Sequence, residues 1–272
     1  MQGAGNDYVY VDSAFVKDVD YPSLAVRISD RHFGIGSDGL VVITRSSVAD
    51  FGMRMFNADG SEAGMCGNAS RCVGKYLYEK GLTDKSRIAL ETVSGIKTLD
   101  LHLDACKVAG VTVDMGLPLF GSADIPVDAP QTRNIPVNVN GVEMRFTCVS
   151  MGNPHAVAFV PETAGFDVEG VGRYVETLPV FPQRTNVEFV QVLSPAEINM
   201  RVWERGTGET MACGTGACAS AVAAFLLGRC GRKVLVHLPG GDVEVEWRES
   251  DGRVYLTGGA EWVFDGVYFI EK

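Results

Sequence analysis

Apolar and polar residues alternate along this chain in short runs, at 8–11, 40–44, 53–56, 88–92, 96–103 and 108–115. A two-residue period of that kind predicts half-buried β-strands. The period changes at 68–80, where Cys72, Val73, Tyr76 and Leu77 fall on one helical face and Gly81 supplies a C-terminal cap. A weaker helical pattern covers 22–30. After Gly116-Leu117-Pro118 a crossing that carries Pro and Asp runs to Gln131 and reads as the linker. Strand patterns return at 135–139, 142–149, 156–160, 187–193 and 198–203. A second helical run, 217–227, is apolar on almost every face and ends at Gly228. Further strands are expected at 234–238, 243–247 and 254–257, and 262–270 closes the chain. One strongly apolar helix among many short strands, twice over, predicts an α/β (α+β) fold. Each half is expected to be a curved, mostly antiparallel sheet or barrel wrapped around a central helix.

The halves share a fixed register. A shift of 147 positions carries Met53-Arg54 onto Met200-Arg201, Glu62 onto Glu209, Cys66-Gly67 onto Cys213-Gly214 and Gly81 onto Gly228. Far upstream it still carries Gly5-Asn6 onto Gly152-Asn153. Such a register marks a duplicated unit. Two copies are too few for a solenoid, so two domains related by a pseudo-two-fold axis are expected. One comprises 1–116 plus a returning 262–272, and the other comprises 117–261.

Composition narrows the function. The chain has 272 residues, 46% hydrophobic and 21% charged, as a globular protein of one large or two ordinary domains would. Its net charge of −10 supplies no basic stripe for nucleic acid. No apolar run reaches the length of a membrane span, and no basic-then-apolar signal opens the chain, so a cytoplasmic location is expected. Seven cysteines without a C-x-x-C pair indicate neither a disulfide framework nor a zinc ribbon.

The duplication singles out two cysteines. Cys66 and Cys213 each stand just ahead of a core helix, in a Cys-Gly-Asn or Cys-Gly-Thr turn. A helix start offers unpaired N–H groups and partial positive charge. That setting is expected to lower a thiol's pKa and to bind an anion, with the following glycine allowing close approach. With both copies facing one cleft, a carboxylate could be held between two helix starts, with a sulfur on either side of its α-carbon. This is a two-base arrangement for moving a proton from one face to the other. Nothing in the pattern calls for pyridoxal phosphate or a metal. Cys72 and Cys218 inside the helices, and Cys106, Cys148 and Cys230 elsewhere, read as small buried hydrophobes.

The motifs GAGND at 3–7, FNADGSE at 56–62, MCGN at 65–68, MGNPHAV at 151–157, RTNVEFV at 184–190 and ERGTGET with ACGTGA at 204–217 resemble the diaminopimelate epimerase family. The resemblance runs almost end to end; ACGTGA alone would fit the wider racemase superfamily. It implies cofactor-independent interconversion of LL- and meso-diaminopimelate, serving lysine and peptidoglycan precursor synthesis, with a homodimer as the assembly. It implies Cys66 and Cys213 as the acid–base pair, the first taking the proton from the LL isomer and the second from the meso isomer. Asn6, Asn57, Asn153 and Asn186 resemble the asparagines of the substrate cleft. Glu204 and Arg205 resemble its charged pair, and Arg205 suits a bidentate grip on the distal carboxylate. Gly67, Asn68, Gly214 and Thr215 would hold the reacting carboxylate, largely through backbone N–H groups. His155 belongs to the same neighbourhood, although a lone histidine after Asn-Pro reads equally well as structural. Apart from the resemblance, the asparagines in their Gly-Asn and Phe-Asn settings read first as turn formers.

Three departures stand out. Ala69 replaces a glycine common after MCGN, and Gly39 stands where some members carry a substrate-contacting glutamine. The chain also opens directly on GAGND, short of the leading strand usual in relatives. Two other functions stay open on the residues alone. One is a racemase for another amino acid, against which Asn68 speaks, since proline racemases tend to have histidine there. The other is a redox or binding protein in which Cys66 and Cys213 form a reversible disulfide.

Overall fold

The computed structural model describes residues 1–16 and 18–270, so 271 and 272 of the expected returning segment lie outside the described residues. The chain divides into two compact units, Met1–Val111 with Gly259–Lys272, and Thr112–Gly258. The first contains β1 (Gln2–Gly3), β2 (Asn6–Asp12), α1 (Tyr21–Ser29), β3 (Gly39–Thr44), β4 (Phe51–Asn57) and β5 (Glu62–Ala63). It continues with α2 (Gly67–Glu79), β6 (Arg87–Thr92), β7 (Gly95–Asp104) and the start of β8 (Lys107–Gly116). The second contains β9 (Ile135–Val139), β10 (Val142–Ser150), β11 (Pro154–Phe159), α3 (Val168–Glu176), β12 (Asn186–Ser194) and β13 (Glu197–Glu204). It ends with β14 (Gly208–Glu209), α4 (Gly214–Leu226), β15 (Lys233–Leu238), β16 (Gly241–Trp247) and β17 (Val254–Gly258).

The shift of 147 positions holds in three dimensions. It carries α1 onto α3 and α2 onto α4 end to end. In the first unit β2 pairs parallel with β3, starting at Tyr8 opposite Gly39; in the second β11 pairs parallel with β12, starting at His155 opposite Asn186. Each parallel pair is bridged by a helix, as a parallel connection requires. Antiparallel partners follow, β4 beside β3 and β13 beside β12, and then a second parallel step, β6 beside β4 and β15 beside β13.

Each sheet is covered on both faces, which explains the unbroken burial of its central strands. In the first unit Leu24, Ala25 and Ile28 of α1 pack on Leu40, Val42 and Phe56. In the second, Val168 and Val175 of α3 pack on Ala156, Ala158, Val187, Phe189 and Trp203. The opposite faces meet α2 and α4. Each of these is buried over nine consecutive residues, 67–75 and 216–224, and is therefore core on every side. Helix α4 packs against β10, β11, β12, β13, β15, β16 and β17, so the second sheet curves around it. Both central helices end alike, on Gly81 and Gly228 in the left-handed region, with φ of +70° and +67°. The amides of Leu82 and Arg229 then close back on Leu77 and Ala224.

Helix α3 is absent from the apolar pattern. Gly170 and Gly172 weaken its helical signature, yet Gly172 is needed there, because a Cβ would come within 2.4 Å of Trp203. Segment 262–270 forms no strand. It is tied to α2 through Trp262 Nε1 donating to Glu79 (2.6 Å) and Lys80 paired with Asp265 (2.7 Å). Nor is Cys106 a buried hydrophobe: it is exposed, in a turn where Ala105 and Cys106 both have positive φ. Cys72, Cys148, Cys218 and Cys230 are buried as expected. Among the described residues no helix is long and apolar enough to cross a membrane.

Candidate active site

Both special cysteines are helix N-caps. Cys66 (φ −134°, ψ 124°) precedes α2 and Cys213 (φ −122°, ψ 110°) precedes α4, each in extended backbone, so the chain enters both helices in the same way. Their surroundings differ.

Cys66 is half-buried, and its thiol donates to Asn6 Oδ1 at 3.4 Å. The other end of that amide, Nδ2, donates to Asp38 Oδ2 at 2.8 Å. Asp38 also accepts the backbone N–H of Asp7, and Arg31 bridges Asp7 and Asp38, 3.1 Å from each. Burial and the neighbouring Asp7 raise the Asp38 pKa despite these donors. Asn68, one residue into α2, is buried, and its Oδ1 has no hydrogen-bond partner. Gly67 is buried beside it. Asn57 closes a tight turn instead, its Nδ2 donating to Ser61 at 3.0 Å.

Cys213 is buried, and its sulfur accepts the Gly216 N–H at 3.4 Å and lies 3.5 Å from Thr215 Oγ1. Thr215 accepts from Asn153 Nδ2 at 3.3 Å, and Asn153 Oδ1 faces His155 Nε2 at 3.0 Å. His155 Nδ1 in turn meets Glu188 Oε1 at 2.7 Å, both side chains being wholly buried. Glu204 accepts the Thr210 hydroxyl and lies within hydrogen-bonding reach of the Cys213 thiol. Cys213, Thr215, Asn153, His155 and Glu204 thus form one connected group in the second unit, with the half-buried start of α4 at Gly214 beside them. Asn186 sits apart, bracing the turn that carries Arg205: it donates to Pro154 O (2.8 Å) and accepts the Arg205 N–H (2.9 Å). The Arg205 guanidinium is exposed and rests on Gln183 O at 3.1 Å.

The expected drop in thiol pKa does not hold at Cys213. Burial holds this thiol well above its ordinary value, and the adjacent Glu204 and Glu188 carboxylates add to the rise. The Gly216 N–H and Thr215 hydroxyl act in the expected direction, and the cost of burying a thiolate outweighs them. Glu204 is likewise raised by burial, and the Thr210 hydroxyl and the Cys213 thiol oppose that rise. Cys148, the nearby core thiol, is pushed up to about 12 by burial alongside Glu188.

Ala69 packs in the first turn of α2 with no visible disturbance, being 1% exposed. Gly39 is different. A Cβ there would lie 2.1 Å from Phe56 O and 2.7 Å from the Tyr8 ring, so no longer side chain fits at this position. Two acids escaped the sequence analysis, Asp38 and Glu188. The second left a trace, as a lone charge inside the strand run V-E-F-V.

A profile of the diaminopimelate epimerase family matches residues 1–120 and 147–263. The chain belongs to that family. A diaminopimelate epimerase of Desulfovibrio desulfuricans is 54% identical over 279 residues, covering 99% of this chain and 97% of its own. Those of Acetivibrio thermocellus and Methanococcus maripaludis are 53% and 51% identical, each over 98% of this chain and at least 96% of their own. Among solved structures, a PhzF-family phenazine biosynthesis protein of Bacillus anthracis superposes with a TM-score of 0.65 at 19% identity, over 95% of this chain and 91% of that one. A hydroxyproline epimerase of Agrobacterium vitis does so with 0.64 at 17%, over 94% and 86%. At these identities the likeness is one of fold, and it agrees with the epimerase-like fold that the family resemblance implies.

Proposed function

We propose that this chain interconverts LL- and meso-2,6-diaminopimelate without a cofactor, using one cysteine from each repeat as acid and base. The observation that carries this reading is the pair of N-cap cysteines on equivalent central helices, in a chain more than half identical to diaminopimelate epimerases over nearly its whole length. In the LL-to-meso direction Cys66 removes the α-proton and Cys213 delivers one to the opposite face; the reverse reaction exchanges the roles. Burial that keeps Cys213 protonated supports its part as the acid of the first direction.

The first-turn amides after each cysteine, at Gly67 and Asn68 and at Gly214 and Thr215, hold the reacting carboxylate and stabilise the charge that develops as the proton leaves. Glu204 and Arg205 take the charged groups of the distal end, with Arg205 free to turn outward from Gln183. Asn6 and Asn153 steady the two thiols, while Asn57 and Asn186 hold the turns from which the site is built. On this reading residues 1–116 with 262–272 and residues 117–261 are the two domains of a cytoplasmic, homodimeric enzyme of lysine and peptidoglycan precursor synthesis.

The test is conversion of pure LL-diaminopimelate under reducing conditions with no added cofactor. Meso isomer is expected to accumulate, and Cys66→Ala and Cys213→Ala are each expected to lower turnover by about 10²–10⁴-fold. No conversion by the wild type would reject the substrate. Conversion that survives either substitution would reject the two-thiol chemistry.

A further inference from the structure

We propose that Glu188 is a positioning residue for Cys213: through His155 it fixes the Asn153 amide, and through that amide it turns the Thr215 hydroxyl toward the Cys213 sulfur. The inference rests on the reading of Cys213 as an acid–base thiol and deepens it.

Glu188 is fully buried in β12 between Val187 and Phe189, which face α3. Glu188 therefore points to the other face, toward α4, and a Cβ on Gly216 would stand 2.8 Å from its Oε1. The bare glycine lets the carboxylate lie directly against the turn that carries the sulfur. Only Oε1 is engaged, by His155 at 2.7 Å, and Oε2 has no hydrogen-bond partner. A buried, half-satisfied carboxylate costs stability, and packing alone would favour an apolar residue. At the same register of the first repeat there is one, Val41.

What the carboxylate does is legible in the chain of contacts. His155 presents its two ring nitrogens to two oxygens, Glu188 Oε1 and Asn153 Oδ1, and so ties the orientation of the amide to the buried carboxylate. With its oxygen held by His155, Asn153 offers its NH₂ to Thr215 Oγ1. The hydroxyl oxygen is thereby occupied as an acceptor, and its own hydrogen is left to point at Cys213 Sγ, 3.5 Å away. Together with the Gly216 N–H, this gives a thiolate two donors inside a site that otherwise resists one.

The first repeat orients the equivalent amide the other way. Asp38 takes the NH₂ of Asn6, so the amide oxygen faces Cys66 and accepts its S–H. There Tyr8 stands in place of His155 and Asn68 in place of Thr215, so the relay exists once. The charged groups facing Cys213 are Glu204 from β13 and Glu188 from β12, with His155 from β11 acting on Glu204.

The relay and simple charge repulsion call for opposite outcomes. The probe is iodoacetamide on substrate-free enzyme at fixed pH, with the alkylation rates of Cys213 and Cys66 resolved by peptide mass spectrometry. Under the relay, Glu188→Gln slows Cys213 by about tenfold, one unit of thiol pKa, and leaves Cys66 unchanged. An equal or faster Cys213 rate, the outcome of merely deleting a nearby negative charge, would overturn the proposal. Thr215→Val is expected to slow Cys213 by a similar factor, and it carries the test if Glu188→Gln does not fold. An unchanged rate in Thr215→Val would also overturn it. In the double variant the two effects should not multiply; if they do, the residues act independently and the relay is wrong. Because no substrate is present, these rates stand apart from the diaminopimelate assay, which can fail without touching them.

Discussion

The two repeats place a cysteine at the same position of the same helix and then surround it differently. Cys66 is half-buried and donates a hydrogen bond to an amide oxygen, whereas Cys213 is buried among Glu204, Glu188, a hydroxyl and a backbone N–H. Duplication has kept what the backbone decides: strand register, the N-cap geometry and the glycine that ends each helix. It has not kept the side chains behind the sulfurs. A two-base epimerase pairs one protonated thiol with one thiolate, and unlike surroundings tune the two separately: those of Cys213 favour the protonated form. The comparison teaches that the scaffold supplies the geometry twice, and that a few buried polar residues supply the difference.

The sharpest steric break between the repeats lies at one register position, Gly39 in the first and Asn186 in the second. Asn186 spends both ends of its amide on backbone, whereas at Gly39 the Phe56 carbonyl and the Tyr8 ring fill the space a side chain would use. Gly39→Ala is therefore expected to destabilise the protein by about 1–3 kcal/mol through overpacking. The check is the midpoint of denaturant unfolding. An unchanged midpoint would mean that the first repeat has room there and that the asymmetry is not steric.

A smaller effect separates the hairpins that follow the central helices. In the second repeat His237 lies 2.8 Å from Glu197 and 2.7 Å from Asp242; the matching hairpin of the first repeat sets Glu91 opposite Ile96. Those two carboxylates raise the His237 pKa above its ordinary 6.5. A raised folded-state pKa gives stability that is fully present below pH 6.5 and disappears as pH climbs through the folded value. The site is largely solvated, so less than about 1 kcal/mol is at stake. His237→Gln should lower stability at acidic pH and lose that effect at alkaline pH. A cost that grows with pH would reverse the sign of this account.

Much of this was legible in the chain itself. The strand runs, both central helices and the two cysteines follow from periodicity and from one constant shift. The same shift, applied to the weak helix at 22–30, would have located α3, whose own glycines hide it. The short strands β1, β5 and β14 are two residues each and carry no period to read. The helix start shows in the sequence and does favour a thiolate at Cys213, but burial by strands distant in sequence outweighs it there. Asp38 and Glu188 were missed for the same reason. A charged residue announces its burial only through partners, and these partners, Asn6 and His155, are brought to it by the parallel pairing of β2 with β3 and of β11 with β12.

The central claim is that two different thiols, one from each repeat, exchange protons with the two faces of one carbon. The most direct measurement is the isotope pattern of early turnover of LL-diaminopimelate in D₂O, followed by proton NMR and mass spectrometry. Two bases predict that the first meso product carries solvent deuterium at the inverted carbon while the remaining LL substrate keeps its protium. Protium carried over into the meso product would mean that a single group removes and returns the proton, and would contradict the account.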